Sequence, residues 1–180
     1  MADKKIKYKI CRRKIKYPRL EYKTGELVII APFRFEISSL IKKHKKWILS
    51  KTEFIEETIK ELKKERLVIR NKDSLENLIN KFIEKARKIL EVAPQRIYFR
   101  AMKTKWASCS KNQNITFNIL LKYLPENLIW YVVFHELCHL IIPSHNKKFW
   151  TLISKEFEDP EKLERKLFGY WFLIWKKIKN

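Results

Sequence analysis

Glycine is almost absent: Gly25 and Gly169 are the only two in 180 residues. Phosphate-cradling loops need several glycines close together, so the P-loop and G-x-G-x-x-G nucleotide folds are excluded. Cysteine is scarce too. Cys11, Cys109 and Cys138 form no C-x-x-C pair and are odd in number. That pattern excludes a disulfide framework and suits a reducing compartment. The longest apolar run, Leu167 to Trp175, falls well short of the roughly 20 residues that span a bilayer. The first ten residues hold no apolar stretch of the kind a signal peptide needs. The expectation is a soluble, cytoplasmic protein.

Acidic side chains are also outnumbered, 20 against 41 Lys and Arg, for a formal charge of +21. One reading is a polyanionic partner: nucleic acid, a nucleotide or an anionic membrane surface. The other is compositional bias, because Lys far outnumbers Arg and specific phosphate recognition favours Arg forks. Hydrophobic residues are plentiful at 46%, with 13% aromatic, enough for a real core.

Residues 4–31 alternate apolar with basic side chains: Ile6, Tyr8 and Ile10, then Ile15 and Tyr17, then Leu20 and Tyr22. Period two predicts strands, with Pro18 confining its segment to an edge or a bend. Lys23-Thr24-Gly25 is a turn signal, and Leu27 to Ile30 a better-buried strand. Their basic outward face is the candidate nucleic-acid contact. Ser38 or Ser39 caps an expected helix through Trp47 and past Ile59. Its Lys42-Lys43-His44-Lys45-Lys46 run reads as a solvated face. Ser74 opens a second amphipathic helix carrying Leu75, Leu78, Ile79, Phe82, Ile83, Ala86 and Ile89. Strands follow at Ile97–Met102 and Ile115–Ile119, around the segment Lys103 to Ser110. Asn146 to Phe157 reads as a helix with Phe149, Trp150 and Ile153 inward, and Leu163 to Ile178 as a last, aromatic-rich one. The expected division is 1–70, a basic strand-rich N-terminal subdomain with a long helix, and 71–180, a catalytic domain.

The chemistry concentrates at His135-Glu136-Leu137-Cys138-His139, an H-E-x-x-H pattern. Residues four apart lie one turn above each other on a helix, so two imidazoles share a face and can hold one Zn²⁺. Glu136 stands beside them as the proton acceptor for an attacking water. Val132, Val133, Phe134, Leu137, Leu140 and Ile141 make the helix a buried one, where unpaired His and Glu are costly. Cys138, between the two His, leaves the helix in another direction and reads as core filler. The helix is expected to run from Pro125 to about Ile142, ending before Pro143. Two side chains compete to be the third ligand: His145, six residues past His139, and Glu156 on the next helix. Proximity favours His145.

Several blocks together resemble the YgjP-like metal-dependent hydrolases, relatives of the zincin metallopeptidases. They are Arg100-x-Met-Lys-Thr-Lys-Trp-x-Ser-Cys-Ser110, Asn118 with Leu120-Leu121, His135-Glu-Leu-Cys-His-Leu140, and His145 with Phe149-Trp150. The resemblance also takes in the basic N-terminal strands, Ala31-Pro32 and Trp47-Ile48. It implies metal ligands at His135, His139 and His145, one Zn²⁺ per chain, and Glu136 as the catalytic carboxylate. Ala107 departs from the glycine usual beside that Trp, and Pro143-Ser144 from the asparagine that commonly precedes the third His.

The expected fold is α+β: a zincin-like domain with a helix-borne H-E-x-x-H and a small mixed sheet, preceded by the basic strand-rich part. The expected activity is zinc-dependent hydrolysis, foremost of peptides. A nucleoside triphosphate phosphohydrolase is the enzymatic alternative, since the positive charge suits an anionic substrate. A nucleic-acid-binding module with structural zinc is the alternative from another class. Arg100, Lys103, Trp106 and Tyr131 are expected at the substrate, with Tyr123, Tyr131, Arg100 and Lys103 the candidates to stabilise an oxyanion.

Overall fold

The computed structural model describes residues 6–23, 26–62, 65 and 67–179. Thr24 and Gly25, where the N-terminal turn was expected, lie outside them. The chain groups into two compact units, Met1–Lys64 with Phe168–Asn180, and Glu65–Leu167. The architecture is α+β.

In the first unit, β1 (Tyr8–Arg12), β2 (Arg19–Lys23) and β3 (Glu26–Ala31) form a mixed sheet in the order β1-β3-β2. β3 takes the centre because it is the most apolar of the three; Leu27, Ile29, Ile30 and Ala31 are buried. Pro18 precedes β2, an edge strand. Helix α1 (Ile37–Leu62) lays Ile37 and Ile48 on the sheet, with Leu27, Ile29 and Ala31. The Tyr22 hydroxyl donates to the Ile48 carbonyl at 2.9 Å. α1 begins at Ile37, so Ser38 and Ser39 lie inside its first turn and not at its cap.

Helix α5 (Pro160–Lys179) starts in the second unit and ends in the first. The sequence division placed everything after residue 70 in one part. Phe168–Asn180 instead groups with the first unit, and the missing side chain of Gly169 permits that packing. A Cβ there would run into the Leu62 side chain and lie 2.6 Å from Thr58 Cγ2. Without one, α5 closes on α1 and Phe54 meets Phe168 at 5.5 Å.

The second unit is built on α3 (Glu126–Ile141), where every residue from Leu128 to Phe134 is buried. α2 (Lys72–Leu90) packs against it through Leu75, Ile79, Ile83, Ala86 and Leu90, spaced three and four apart. Its cap is Asn71, whose side chain accepts the Ser74 N–H at 2.7 Å, so the helix starts before the expected Ser74. β4 (Arg96–Arg100), β5 (Ala107–Cys109) and β6 (Asn114–Asn118) form a second mixed sheet, ordered β4-β6-β5. β5 was not expected. Ala-Ser-Cys has no apolar alternation, and its extended form comes from antiparallel pairing with β6. A 3₁₀ turn at Ile119–Tyr123 then leads into α3. The helix after α3 is shorter than expected, α4 (Lys147–Ile153). Phe149 and Ile153 point inward, whereas Trp150 stays 36% exposed.

Candidate metal centre

His135, Glu136 and His139 ride on α3, and the helix is buried enough to fix them. At its end the Ile142 N–H bonds to the Cys138 carbonyl while Ile142 itself turns extended, as a residue before proline prefers. The chain reverses through Pro143 and Ser144. Asn146 then caps α4, its side chain accepting the Phe149 N–H at 3.1 Å. That cap holds His145 at the entrance to α4, facing back towards α3.

The three imidazoles converge. Their ligand atoms all lie within 4.8 Å of one another, and His135 Nε2 faces His145 Nε2 at 3.0 Å. Two nitrogens sharing a tetrahedral zinc would stand about 3.3 Å apart, so this spacing suits a metal. His139 Nδ1 lies 3.2 Å from the Ile142 carbonyl, which leaves Nε2 to coordinate. Phe149, fully buried, underlies the group, with ring centroids 4.9, 4.6 and 4.8 Å from His135, His139 and His145. Trp150 stacks on His145 at 5.8 Å.

Burial, then the neighbouring His139 and His145, press the His135 imidazole down to about 3. Burial lowers His139 as well, against the bond to Ile142. Both stay neutral near pH 7, the form that binds metals. Burial raises the Glu136 carboxyl to about 7; the Lys105 charge and a backbone hydrogen bond from Cys109 oppose it. Glu136 Oε2 has no hydrogen-bond partner, an orphaned buried oxygen beside the three His.

A cleft of about 1030 Å³ opens over these groups, lined among others by Trp106, Tyr131, Leu140, Trp150 and β5. The bonds from Asn118 N to the Trp106 carbonyl and from Ser110 N to the Asn114 carbonyl set the alternation along β5. The backbone groups of Ala107 and Cys109 therefore turn away from β6. The Cys109 N–H goes to Glu136. Buried Asn118 steadies the approach to β5, its amide donating to the Met102 and Lys105 carbonyls at 2.8 and 2.7 Å.

The family described as YgjP-like, metallopeptidase domain, matches residues 61–169. The chain belongs to that family. As a YgjP-like protein it is a metal-dependent hydrolase of the metallopeptidase kind. Among solved structures the chain is similar to the metallopeptidase zymogen abylysin of Pyrococcus abyssi. The two are 26% identical with a TM-score of 0.46, over 49% of this chain and 90% of that one. It is similar also to the zymogen jannalysin of Methanocaldococcus jannaschii, at 25% identity and a TM-score of 0.43. That likeness covers 52% of this chain and 93% of the other. No curated protein matches the sequence.

Within this YgjP-like domain the expected site residues part company. Trp106 and Tyr131 line the cleft. The Tyr131 side chain is fully buried and its hydroxyl donates to Glu164 at 2.7 Å, so it is not free to meet an oxyanion. Arg100 and Lys103 do not line the cleft: both are exposed, and Arg100 lies over the Tyr98 ring at 5.3 Å. Tyr123 is absent from the lining too, its ring under Lys122. Lys105, not Lys103, is the lysine that lines the cleft. Glu164 went unnoticed in the sequence, where it is one acid in a charged first stretch of α5. Glu156 lies away from the imidazoles, accepting from Trp130 Nε1 at 3.1 Å and paired with Lys85 at 3.3 Å. Among the described residues no helix is long and apolar enough to cross a membrane.

Proposed function

We propose that this chain is a zinc peptidase in which His135, His139 and His145 hold one metal ion and Glu136 is the general base. The observation that carries this reading is the convergence of three imidazoles on the cleft floor beside a buried carboxylate with an unpartnered oxygen. The donor set fits the ion: three nitrogen ligands with an open position are what catalytic zinc sites use. Bound there, the metal would polarise the scissile carbonyl and make water nucleophilic at neutral pH.

The chain's own groups do the rest. Glu136 takes the proton from the attacking water and returns it to the leaving amine. Lys105 and the Cys109 N–H favour the ionised carboxylate, the state that accepts that proton. Ala107, its backbone turned away from β6, offers an edge on which an extended peptide can pair. Trp106, Trp150 and Leu140 give the cleft apolar walls that exclude water from the bound chain.

The test is a turnover screen of zinc-loaded protein against unstructured peptides and nucleoside triphosphates, with Glu136→Gln as the blank. Peptide cleavage that disappears in the blank supports the reading. Triphosphate hydrolysis without peptide cleavage would move it to phosphorus chemistry, for which Lys105 and Lys111 in the lining are suitably charged.

A further inference from the structure

The two helical imidazoles are not equally supported. A metal-binding histidine is oriented by what its second ring nitrogen bonds to, and that partner also sets how strongly the first nitrogen donates. His139 has such a partner in the Ile142 carbonyl. His135 Nδ1 has none within hydrogen-bond distance, although it is buried. The carboxylate oxygen Glu164 Oε1 lies 3.7 Å away.

Glu164 is itself held. The Tyr131 hydroxyl donates to the same oxygen at 2.7 Å. Tyr131 sits one helical turn before His135 on the same face of α3, their ring centroids 5.8 Å apart. A buried phenol must place its hydroxyl on an acceptor, so it fixes the carboxylate beside the imidazole. The free side of Glu164 stays solvated, its side chain 46% exposed. A hydrogen bond between Glu164 and His135 needs the 3.7 Å gap to close to about 2.9 Å.

We propose that Glu164 is a positioning residue that accepts the His135 Nδ1–H, with Tyr131 as its anchor, so that His135 binds the metal through Nε2. This rests on the three-histidine reading above. It gives His135 the charged partner where His139 has a neutral carbonyl, and makes α5 a supporting element of the site. The Tyr131 hydroxyl thereby acts on the ligand and not on the substrate.

The test is zinc affinity, by chelator competition on the full chain, for wild type, Glu164→Gln, Glu164→Ala and Tyr131→Phe. Glu164→Ala should weaken zinc about 10–100-fold, the usual loss for such a partner. Glu164→Gln keeps an acceptor for the Tyr131 hydroxyl but no charge, and should fall between Ala and wild type. Tyr131→Phe should cost less than Glu164→Ala. In Co²⁺-loaded protein the visible bands should shift in Glu164→Ala and Glu164→Gln, which a purely structural contact would leave unmoved. Glu164→Gln carries the test should the Ala variant fail to fold. A wild type that binds one zinc, with both Glu164 variants matching its affinity and Co²⁺ spectrum, would overturn the inference and leave the metal site standing. A wild type that binds no zinc would overturn both.

Discussion

Trp130 Nε1 donates to Glu156 at 3.1 Å, and the same carboxylate pairs with Lys85. Lys85 also lies 4.1 Å above the Trp130 ring. Glu156 is thus a structural carboxylate joining α2, α3 and the end of α4. Glu156→Ala should keep zinc affinity near wild type while costing about 1–3 kcal/mol of stability, the range for leaving a buried donor unpaired. His145→Ala should cost more zinc affinity than the ~10–100-fold typical of an orienting partner. Chelator competition and thermal melts on the two variants separate the roles, and the reverse pattern would remove His145 from the site.

Glu136→Gln should hold one equivalent of zinc yet lose at least ~10²-fold in turnover, the scale of a general base. Near wild-type rates in a variant verified to hold metal would end the assignment.

The same substitution should stabilise the metal-free protein, in a pH-dependent way. Burial raises the Glu136 carboxyl from 4.5 to about 7. Its folded state therefore prefers the proton; the stability it contributes is full below about 4.5 and is lost as pH rises through about 7. Gln carries no such penalty. At pH 8 the variant should be more stable by on the order of 3 kcal/mol, converging with wild type below pH 4.5. Denaturant titrations of metal-free protein at pH 4 and pH 8 measure it, and equal differences at both would refute it.

Phe149 touches all three imidazoles and is fully buried. Phe149→Ala should destabilise by about 3–5 kcal/mol and weaken zinc together, because the cavity would lie directly under the three imidazoles. A stability loss with unchanged zinc affinity would show that the His positions do not depend on this ring.

Gly169→Ala should also destabilise, despite the roughly 1 kcal/mol that alanine gains over glycine within a helix. The new methyl meets Leu62 and Thr58, and overpacking of that kind costs about 1–3 kcal/mol. A melt at or above the wild-type temperature would mean that α1 and α5 yield freely there.

Much of the candidate site was legible in the sequence because it is local. One helix turn fixes the spacing of His135 and His139, and Pro143 ends that helix whatever the surroundings. The apolar spacing of α2 and the burial of β3 follow in the same way from patterns within a few residues. What the sequence could not determine depends on partners distant in the chain. β5 is a strand because β6 lies beside it, and only the folded chain shows that Lys105 lines the cleft where Lys103 does not. Glu156 and Glu164 read alike as acids on late helices. Only the packed chain delivers one to Trp130 and the other to Tyr131 and His135. Gly169 likewise reads as a flaw in a helix until α1 is set against it. A hydrogen bond or a steric contact belongs to two residues at once, and their meeting is settled by the burial of the whole core, not by either neighbourhood alone.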